Sequence, residues 1–171
     1  MTRAAFAATL LAVAAVSVAP AASGAGLEEV ILNVTWSTNV STGVECSWGL
    51  DSHSKIRAGL NFVLDLSGPT AVFGLLGRAV YLYNLLPQSR LSPYAGLGVT
   101  GTLGFIETWP PPPLGEWLRP LLIPEAPLGI RCAVTDRLSL LGELRIGFVW
   151  PGGKLVVAPI AVTLGLGYSL R

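Results

Sequence analysis

Seven charged side chains stand at alternate positions within stretches that are otherwise apolar or built of small residues. Alternate residues of a β-strand point to opposite faces, so these charges share a face with glycine, serine and threonine. Charges enclosed in a narrow barrel must pair with one another, because a lone buried charge is costly. The sequence therefore predicts a network of ion pairs across a lumen, made by Glu45, Arg57, Asp65, Arg78, Arg131, Glu143 and Arg145.

His53 is the second candidate for chemistry, because it is the only histidine and lies between Ser52 and Ser54. A serine, a histidine and an acid can together form the catalytic group of an acyl hydrolase. Adjacent residues on a strand point to opposite faces, however, so neither serine easily hydrogen-bonds the imidazole. The composition of residues 51–54 favours a turn instead. We therefore expect no catalytic residue in this chain.

Cys46 and Cys132 could form a disulfide in an oxidising compartment. Both lie on the apolar faces of predicted strands that are not neighbours, so a bridge within one molecule is out of reach. We expect two free thiols, and no cofactor or metal site.

Eight strands are predicted from the alternation of apolar residues with small or polar ones. In the last strand, for example, Ile160, Val162 and Leu164 are expected on the apolar face. That face is long and purely apolar, whereas the other mixes small, polar and charged residues, as in a transmembrane barrel with a polar interior. The predicted strands cover about residues 28–36, 43–50, 55–66, 70–84, 91–105, 126–134, 138–148 and 158–170.

An even number of strands brings both chain ends to the same side, as in bacterial barrels. The predicted fold is all-β: an eight-stranded antiparallel up-and-down transmembrane β-barrel over residues 26–171. Its interior would be just wide enough for side chains to fill. Pro124, Pro127 and Pro159 would each remove a backbone donor, which a closed barrel tolerates poorly, so we expect them near the outer rim.

Tryptophans gather at the ends of the predicted strands that would face the outside of the cell. Clustering at one level is typical of the aromatic girdle at a membrane interface. The predicted interface residues are Trp36, Trp109, Trp117 and Trp150.

The start of the chain predicts export. Arg3 precedes an apolar stretch over residues 6–19, and small residues then offer cleavage sites near residues 21 and 25. This is the pattern of a secretory signal peptide over residues 1–25, and the stretch is short for a membrane helix.

The composition of the remaining chain is unusual for a soluble domain. The chain is 51% hydrophobic and 12% charged, against about a quarter charged in soluble domains. Of 11 basic residues, the predicted signal peptide removes one (11 − 1 = 10), which balances the 10 acidic residues. The neutral balance and the lack of a basic stripe exclude an ordinary nucleic-acid-binding surface.

The segment Pro93-Tyr94-Ala95-Gly96-Leu97-Gly98-Val99 and the hairpin from Pro127 to Arg145 resemble small bacterial outer-membrane β-barrel proteins. The resemblance is to the OmpA-type transmembrane domain and its eight-stranded OmpW-like relatives. The resemblance implies residence in the outer membrane, contact with membrane lipids, a monomeric state, and recognition of the C-terminal strand by the barrel-assembly machinery. Members usually end on an aromatic residue, whereas this chain ends Tyr168-Ser-Leu-Arg171, so Tyr168 and Leu170 would serve instead.

Four functions remain open from the sequence. The favoured one is a non-enzymatic structural or surface-interaction barrel with a filled lumen. The second is a narrow channel or transporter for small or hydrophobic solutes, as the resemblance to OmpW-like proteins implies. An outer-membrane acyl hydrolase is the third, and the fourth is a soluble lipocalin-like barrel in which the two faces are exchanged.

Overall fold

A closed ring of eight antiparallel strands makes up the fold in the computed structural model of the chain. The structure describes residues 26–37, 40–65, 72–106, 122–149 and 156–170. Each strand pairs with the next along the chain, and the last pairs with the first. The strands are β1 Leu27–Trp36, β2 Val40–Gly49, β3 Ser54–Asp65, β4 Val72–Asn84, β5 Leu91–Ile106, β6 Leu122–Ala133, β7 Leu138–Val149 and β8 Val156–Ser169.

This topology confirms the predicted eight-stranded up-and-down barrel. The connections 50–53, 85–90 and 134–137 lie at the end of the barrel where β1 starts and β8 finishes, which we call the turn end. The connections 37–39, 66–71, 107–121 and 150–155 join strands at the opposite end, which we call the loop end. Among the described residues there is no helix long and apolar enough to cross a membrane.

The two faces of the barrel wall are distributed as the sequence predicts, with the apolar face outside. Leu97 is 68% exposed, Phe62 64% and Leu164 54%, although all three are large hydrophobic residues. Glu143 and Arg145, by contrast, are each 4% exposed and face the lumen. A water-soluble barrel would show the opposite arrangement, so the structure excludes exchanged faces.

Prolines stand where the backbone ladder is interrupted. The β5–β6 pairing runs to Ala95↔Leu128 and resumes at Gly98↔Glu125, which leaves a gap beside Pro127. The β6–β7 pairing reaches Glu125↔Gly147 and does not include the neighbouring Pro124. Because proline has no N–H to donate, gaps and ladder ends are the positions that accept it. β6 begins at Leu122, four residues before the predicted start, because prolines at such interruptions do not end the strand.

A β-bulge corrects the prediction for the last strand. Arg145 pairs with Ala161 and Ile146 with Pro159, so Ile160 is an extra residue in β8. An added Cβ on Gly147, which faces the lumen, would meet the side chain of Ile160. Ile160 was expected on the outer face, but the bulge turns it inward, because one unpaired residue shifts the alternation by one position.

Aromatic side chains face outward at both ends of the barrel. Trp36 is 43% exposed at the loop end of β1, whereas Trp109, Trp117 and Trp150 lie outside the described residues. Near the turn end, a second group also lies on the outer surface: Trp48, Tyr81, Tyr83 and Tyr168. The turn-end group and Trp36, with an apolar band between them, fit a barrel that crosses a membrane. The other three tryptophans of the expected interface stay a prediction.

We predict that an arginine in the apolar band destabilises the barrel in lipid far more than an arginine at a turn. Leu164→Arg should cost about 2–4 kcal/mol in the free energy of unfolding if the position lies near the bilayer midplane. Leu86→Arg is the matched control, since Leu86 is similarly exposed but lies in the 85–90 turn. Urea titration in lipid vesicles, followed by the heat-modifiable gel mobility of the folded barrel, measures both. Equal effects of the two substitutions would contradict a lipid-facing β8.

Candidate functional site

The charged side chains of five strands meet inside the barrel at one level. Alternation aims the side chains of every second residue inward, so each strand contributes at a fixed position. Six charged residues, which we call the charge layer, are buried, and none of their side chains is more than 6% exposed. They are Glu45 on β2, Arg57 on β3, Arg78 on β4, Glu125 on β6, and Glu143 and Arg145 on β7.

Arg78 is the centre of the charge layer, because its guanidinium reaches three carboxylates on three other strands. Its Nε donates to Glu125 Oε1 at 2.6 Å, and its Nη2 donates to Glu143 Oε1 at 2.5 Å. Its Nη1 donates to both carboxylate oxygens of Glu45, at 3.1 and 3.2 Å. One planar donor fork thereby ties β4 to β2, β6 and β7 across the lumen.

The other two arginines share the same acceptors. Arg57 Nη1 donates to Glu143 Oε2 at 3.0 Å, and its guanidinium carbon lies 5.2 Å from the centre of the Tyr94 ring. Arg145 donates to Glu143 through Nε at 3.1 Å and to Glu45 through Nη2 at 3.4 Å. Since each carboxylate also has several donors, the buried charges compensate one another.

Neutral hydroxyl groups complete the coordination of the carboxylates. Tyr94 Oη donates to Glu143 Oε2 at 3.0 Å, and Thr100 Oγ1 donates to Glu125 Oε2 at 2.8 Å. Three acids face three bases, so the charge layer is neutral as a whole. A neutral, hydrogen-bonded set is the form in which ionised groups tolerate burial.

Two glycines provide the room that these long side chains need. Gly129 lies opposite Tyr94 in the β5–β6 pairing, and a Cβ there would collide with the Tyr94 ring. A Cβ on Gly59 would collide with the backbone and side chain of Glu45. Small residues on the inner face therefore leave the space that the large polar side chains beside them occupy.

Two further ion pairs lie towards the turn end. Arg131 Nε donates to Glu29 Oε1 at 3.2 Å, and Ser139 Oγ donates to the same oxygen at 2.5 Å. Lys55 Nζ lies 3.0 Å from Glu28 Oε2. The β1–β2 pairing shifts register between Leu27 and Glu29, and this irregularity allows consecutive glutamates to face the lumen together.

An apolar belt separates these turn-end pairs from the charge layer. On β7 the inner residues run from Ser139 through Leu141 to Glu143, and β1 has Ile31 in the corresponding place after Glu29. The belt consists of buried side chains that are at most 5% exposed: Ile31, Leu82, Tyr94 and Leu141. The described part of the lumen thus contains two layers of buried side chains, one of paired charges and one of apolar residues.

The structure places six of the seven predicted lumen residues, and these six lie at two sites. It brings Glu45, Arg57, Arg78, Glu143 and Arg145 together in the charge layer. Arg131 lies apart, in the ion pair with Glu29. Asp65 ends β3 opposite Val72, but its side chain lies outside the described part of the chain.

Glu125 is the residue of the charge layer that the sequence interpretation did not predict. It stands between Pro124 and Pro127, and the predicted strand began only at residue 126. The alternation itself carried a signal, because Glu125 lies an even number of positions from the inward Gly129 and Arg131. Tyr94, whose hydroxyl donates to Glu143, was not among the predicted lumen residues either.

His53 belongs to a turn. The backbone N–H groups of His53 and Ser54 donate to Asp51 Oδ1 at 2.7 and 2.8 Å, and these bonds hold the pKa of the Asp51 carboxyl below its ordinary value. The His53 ring stacks on Tyr83 with centroids 5.4 Å apart, and its Nδ1 lies 2.9 Å from the carbonyl oxygen of Asn84.

No nucleophile is paired with this histidine in the described residues. Ser54 Oγ instead shares a hydrogen bond with Tyr81 Oη at 2.8 Å. Cys46 and Cys132 are free, and no group of three or more histidine, cysteine or acidic residues in the described ranges could hold a metal ion.

Solved structures of outer-membrane barrels have the same fold. The N-terminal β-barrel domain of Pseudomonas aeruginosa OprF superposes with a TM-score of 0.64 at 13% identity, over 84% of this chain and 96% of that one. Neisserial surface protein A gives 0.60 at 14% identity, over 84% and 94%. The outer membrane protein OprG from Pseudomonas aeruginosa gives 0.56 at 11% identity, over 86% and 97%.

These likenesses confirm the resemblance to small bacterial outer-membrane barrels at the level of the fold. The OmpW-like part of that resemblance stays a prediction. No protein-family model matches the chain, and no curated protein matches it by sequence.

We predict that removing the central guanidinium destabilises the barrel strongly. Arg78→Met leaves three buried carboxylates without their shared partner, which should cost about 3–5 kcal/mol in the free energy of unfolding. Arg137→Met is the control, because the exposed guanidinium of Arg137 donates to the Tyr168 hydroxyl at 3.3 Å, and surface contacts contribute at most about 1 kcal/mol. Adding Glu143→Gln to Arg78→Met should recover part of the loss. Urea titrations that fail to separate Arg78→Met from Arg137→Met would contradict a central role for Arg78.

Proposed function

We propose that the chain is a bacterial outer-membrane β-barrel with a structural or surface-interaction role, and that it is neither a pore nor an enzyme. The observation that carries this proposal is the buried charge layer, in which Arg78 joins carboxylates on three other strands. The apolar belt below it adds a second obstruction. A lumen filled in this way serves the stability of the wall rather than passage through it.

An ion that entered the lumen would have to separate buried pairs. Each displaced partner would be left desolvated without its counter-charge, which costs several kcal/mol. It would then meet Ile31, Leu82 and Leu141, whose side chains offer no polar group to replace its water. The two obstructions act in series, so loosening one of them does not by itself open a path.

The outer surface supports a membrane location. Its large hydrophobic residues are exposed over the middle of the strands, and aromatic residues stand near both ends. Membrane lipids are the partner that such a band requires. The proposed orientation places the short connections of the turn end in the periplasm and the loop end outside the cell.

A surface role would belong to the loop end, where residues 107–121 join β5 to β6. One of the structural neighbours is by its name a neisserial surface protein. We propose that the barrel is a monomer that displays this connection. We also propose that β8, with Tyr168 43% and Leu170 51% exposed on its outer side, is the strand that the assembly machinery recognises.

Export is proposed to depend on residues 1–25, which lie outside the described residues. Intact-mass measurement of the protein purified from outer membranes should find an N-terminus at residue 22 or 26. A mass that retains Arg3 would contradict a cleaved signal peptide.

We predict that the purified barrel does not conduct ions. Reconstituted in planar bilayers in KCl, it should show no unitary currents at either voltage polarity, because the charge layer and the apolar belt remain closed. A general-diffusion porin in the same bilayers is the positive control, and heat-modifiable mobility of the recovered protein verifies that the inserted barrel is folded. Reproducible unitary currents would overturn the proposal and favour the narrow channel for small solutes instead.

A further inference from the structure

The lumen wall formed by β1, β2 and β3 contains polar groups that no described protein group satisfies. Both Nδ2 and Oδ1 of Asn33 lack a hydrogen-bond partner, as do Oδ1 of Asn61 and Nε of Arg57. These residues are 4%, 1% and 5% exposed, so bulk water does not reach them. Buried amides and guanidinium groups without partners are rare, because each one loses its hydration without compensation.

Asn33 and Asn61 stand at one level of the wall, and Arg57 lies four residues from Asn61 on the same inner face of β3. The remaining unsatisfied group, Ser92 Oγ, is on β5 and lies apart from them. Asn33 on β1 pairs with Gly43 on β2, which in turn pairs with Asn61 on β3. The carboxamide oxygen of Asn61 lies over Gly43, at the place that a Cβ would take. Asn61 therefore leans across the glycine towards the strand that carries Asn33.

The chemistry of this region is complementary to water and to little else. Asn33 offers two N–H donors and a carbonyl acceptor, Asn61 offers an acceptor, and Arg57 offers one N–H donor. The set is mixed in donors and acceptors, and the carboxylates of the charge layer already accept hydrogen bonds from arginines. Gly43 and Gly165, the two residues that pair with Asn33, contribute no side chain of their own, and the nearest neighbours over them are Asn61 and Ile31. Water is the ligand small enough for such a place, and it usually makes about three hydrogen bonds when buried.

We propose that ordered water binds the β1–β3 wall of the lumen and bridges the carboxamides of Asn33 and Asn61 beside the charge layer. The charge layer is then dry where Arg78 contacts Glu125 and Glu143, and hydrated on the side where Asn33 and Asn61 stand. This inference does not depend on the absence of conduction, since a bridging water occupies the wall rather than a continuous path.

The first experiment detects the water directly. In the full-length barrel folded in lipid nanodiscs, the side-chain amide protons of Asn33 should show cross-relaxation with long-lived water in NMR spectra. The amide of Asn84, which donates to the carbonyl oxygen of His53 at 3.0 Å, is the internal control for a group with a protein partner. A direct contact between the Asn33 and Asn61 amides, without water, would overturn the proposal.

The second experiment tests the bridge energetically. Asn33→Leu and Asn61→Leu should each lower the urea midpoint of unfolding, and the double variant should lower it no further than the more harmful single variant, because both act on the same water. Additive effects, or an Asn33→Leu barrel as stable as the parent, would overturn the proposal. If a variant does not fold, the NMR measurement on the unaltered protein decides alone.

Discussion

The barrel depends on one constraint: no charge and no backbone group inside it can be left without a partner. Arg78 meets the constraint for the interior by donating to Glu45, Glu125 and Glu143 at once. The closed ring of strands meets it for the backbone, because pairing β8 with β1 removes the free edges that an open sheet would expose to lipid. The same ring holds the carboxylates at the distances that one guanidinium can span.

The wall reverses the usual distribution of residues, and this reversal explains the composition. A soluble domain keeps apolar residues inside and many charges outside, whereas here Leu97 and Phe62 are exposed and Glu45 is almost fully buried. Charged residues are needed only where they can pair across the lumen and at the ends. A charged fraction of 12% is therefore sufficient.

Irregularities of the wall place side chains that strict alternation would misplace. The bulge in β8 turns Ile160 inward, and the register shift at the start of β1 lets Glu28 face inward together with Glu29. The gap beside Pro127 leaves the β5–β6 ladder incomplete without removing the inward position of Glu125. The bulge and the register shift each change which residues face the lumen, so the inner face depends on these irregularities as well as on the regular strands.

The sequence alone determined the number of strands, their order and, away from the bulge in β8 and the register shift in β1, the face that the residues take. The reason is that a period of two is a local property of the chain. It also determined that the inward charges must pair. Only the tertiary structure decided which of them do so: Arg131 binds Glu29 rather than the central acids, and Glu125 joins Arg78 from a strand whose start the flanking prolines concealed. Which inward charges form ion pairs depends on the stagger between strands and on the positions of bulges and glycines. These are relations between distant parts of the chain, which the period of any single strand does not contain.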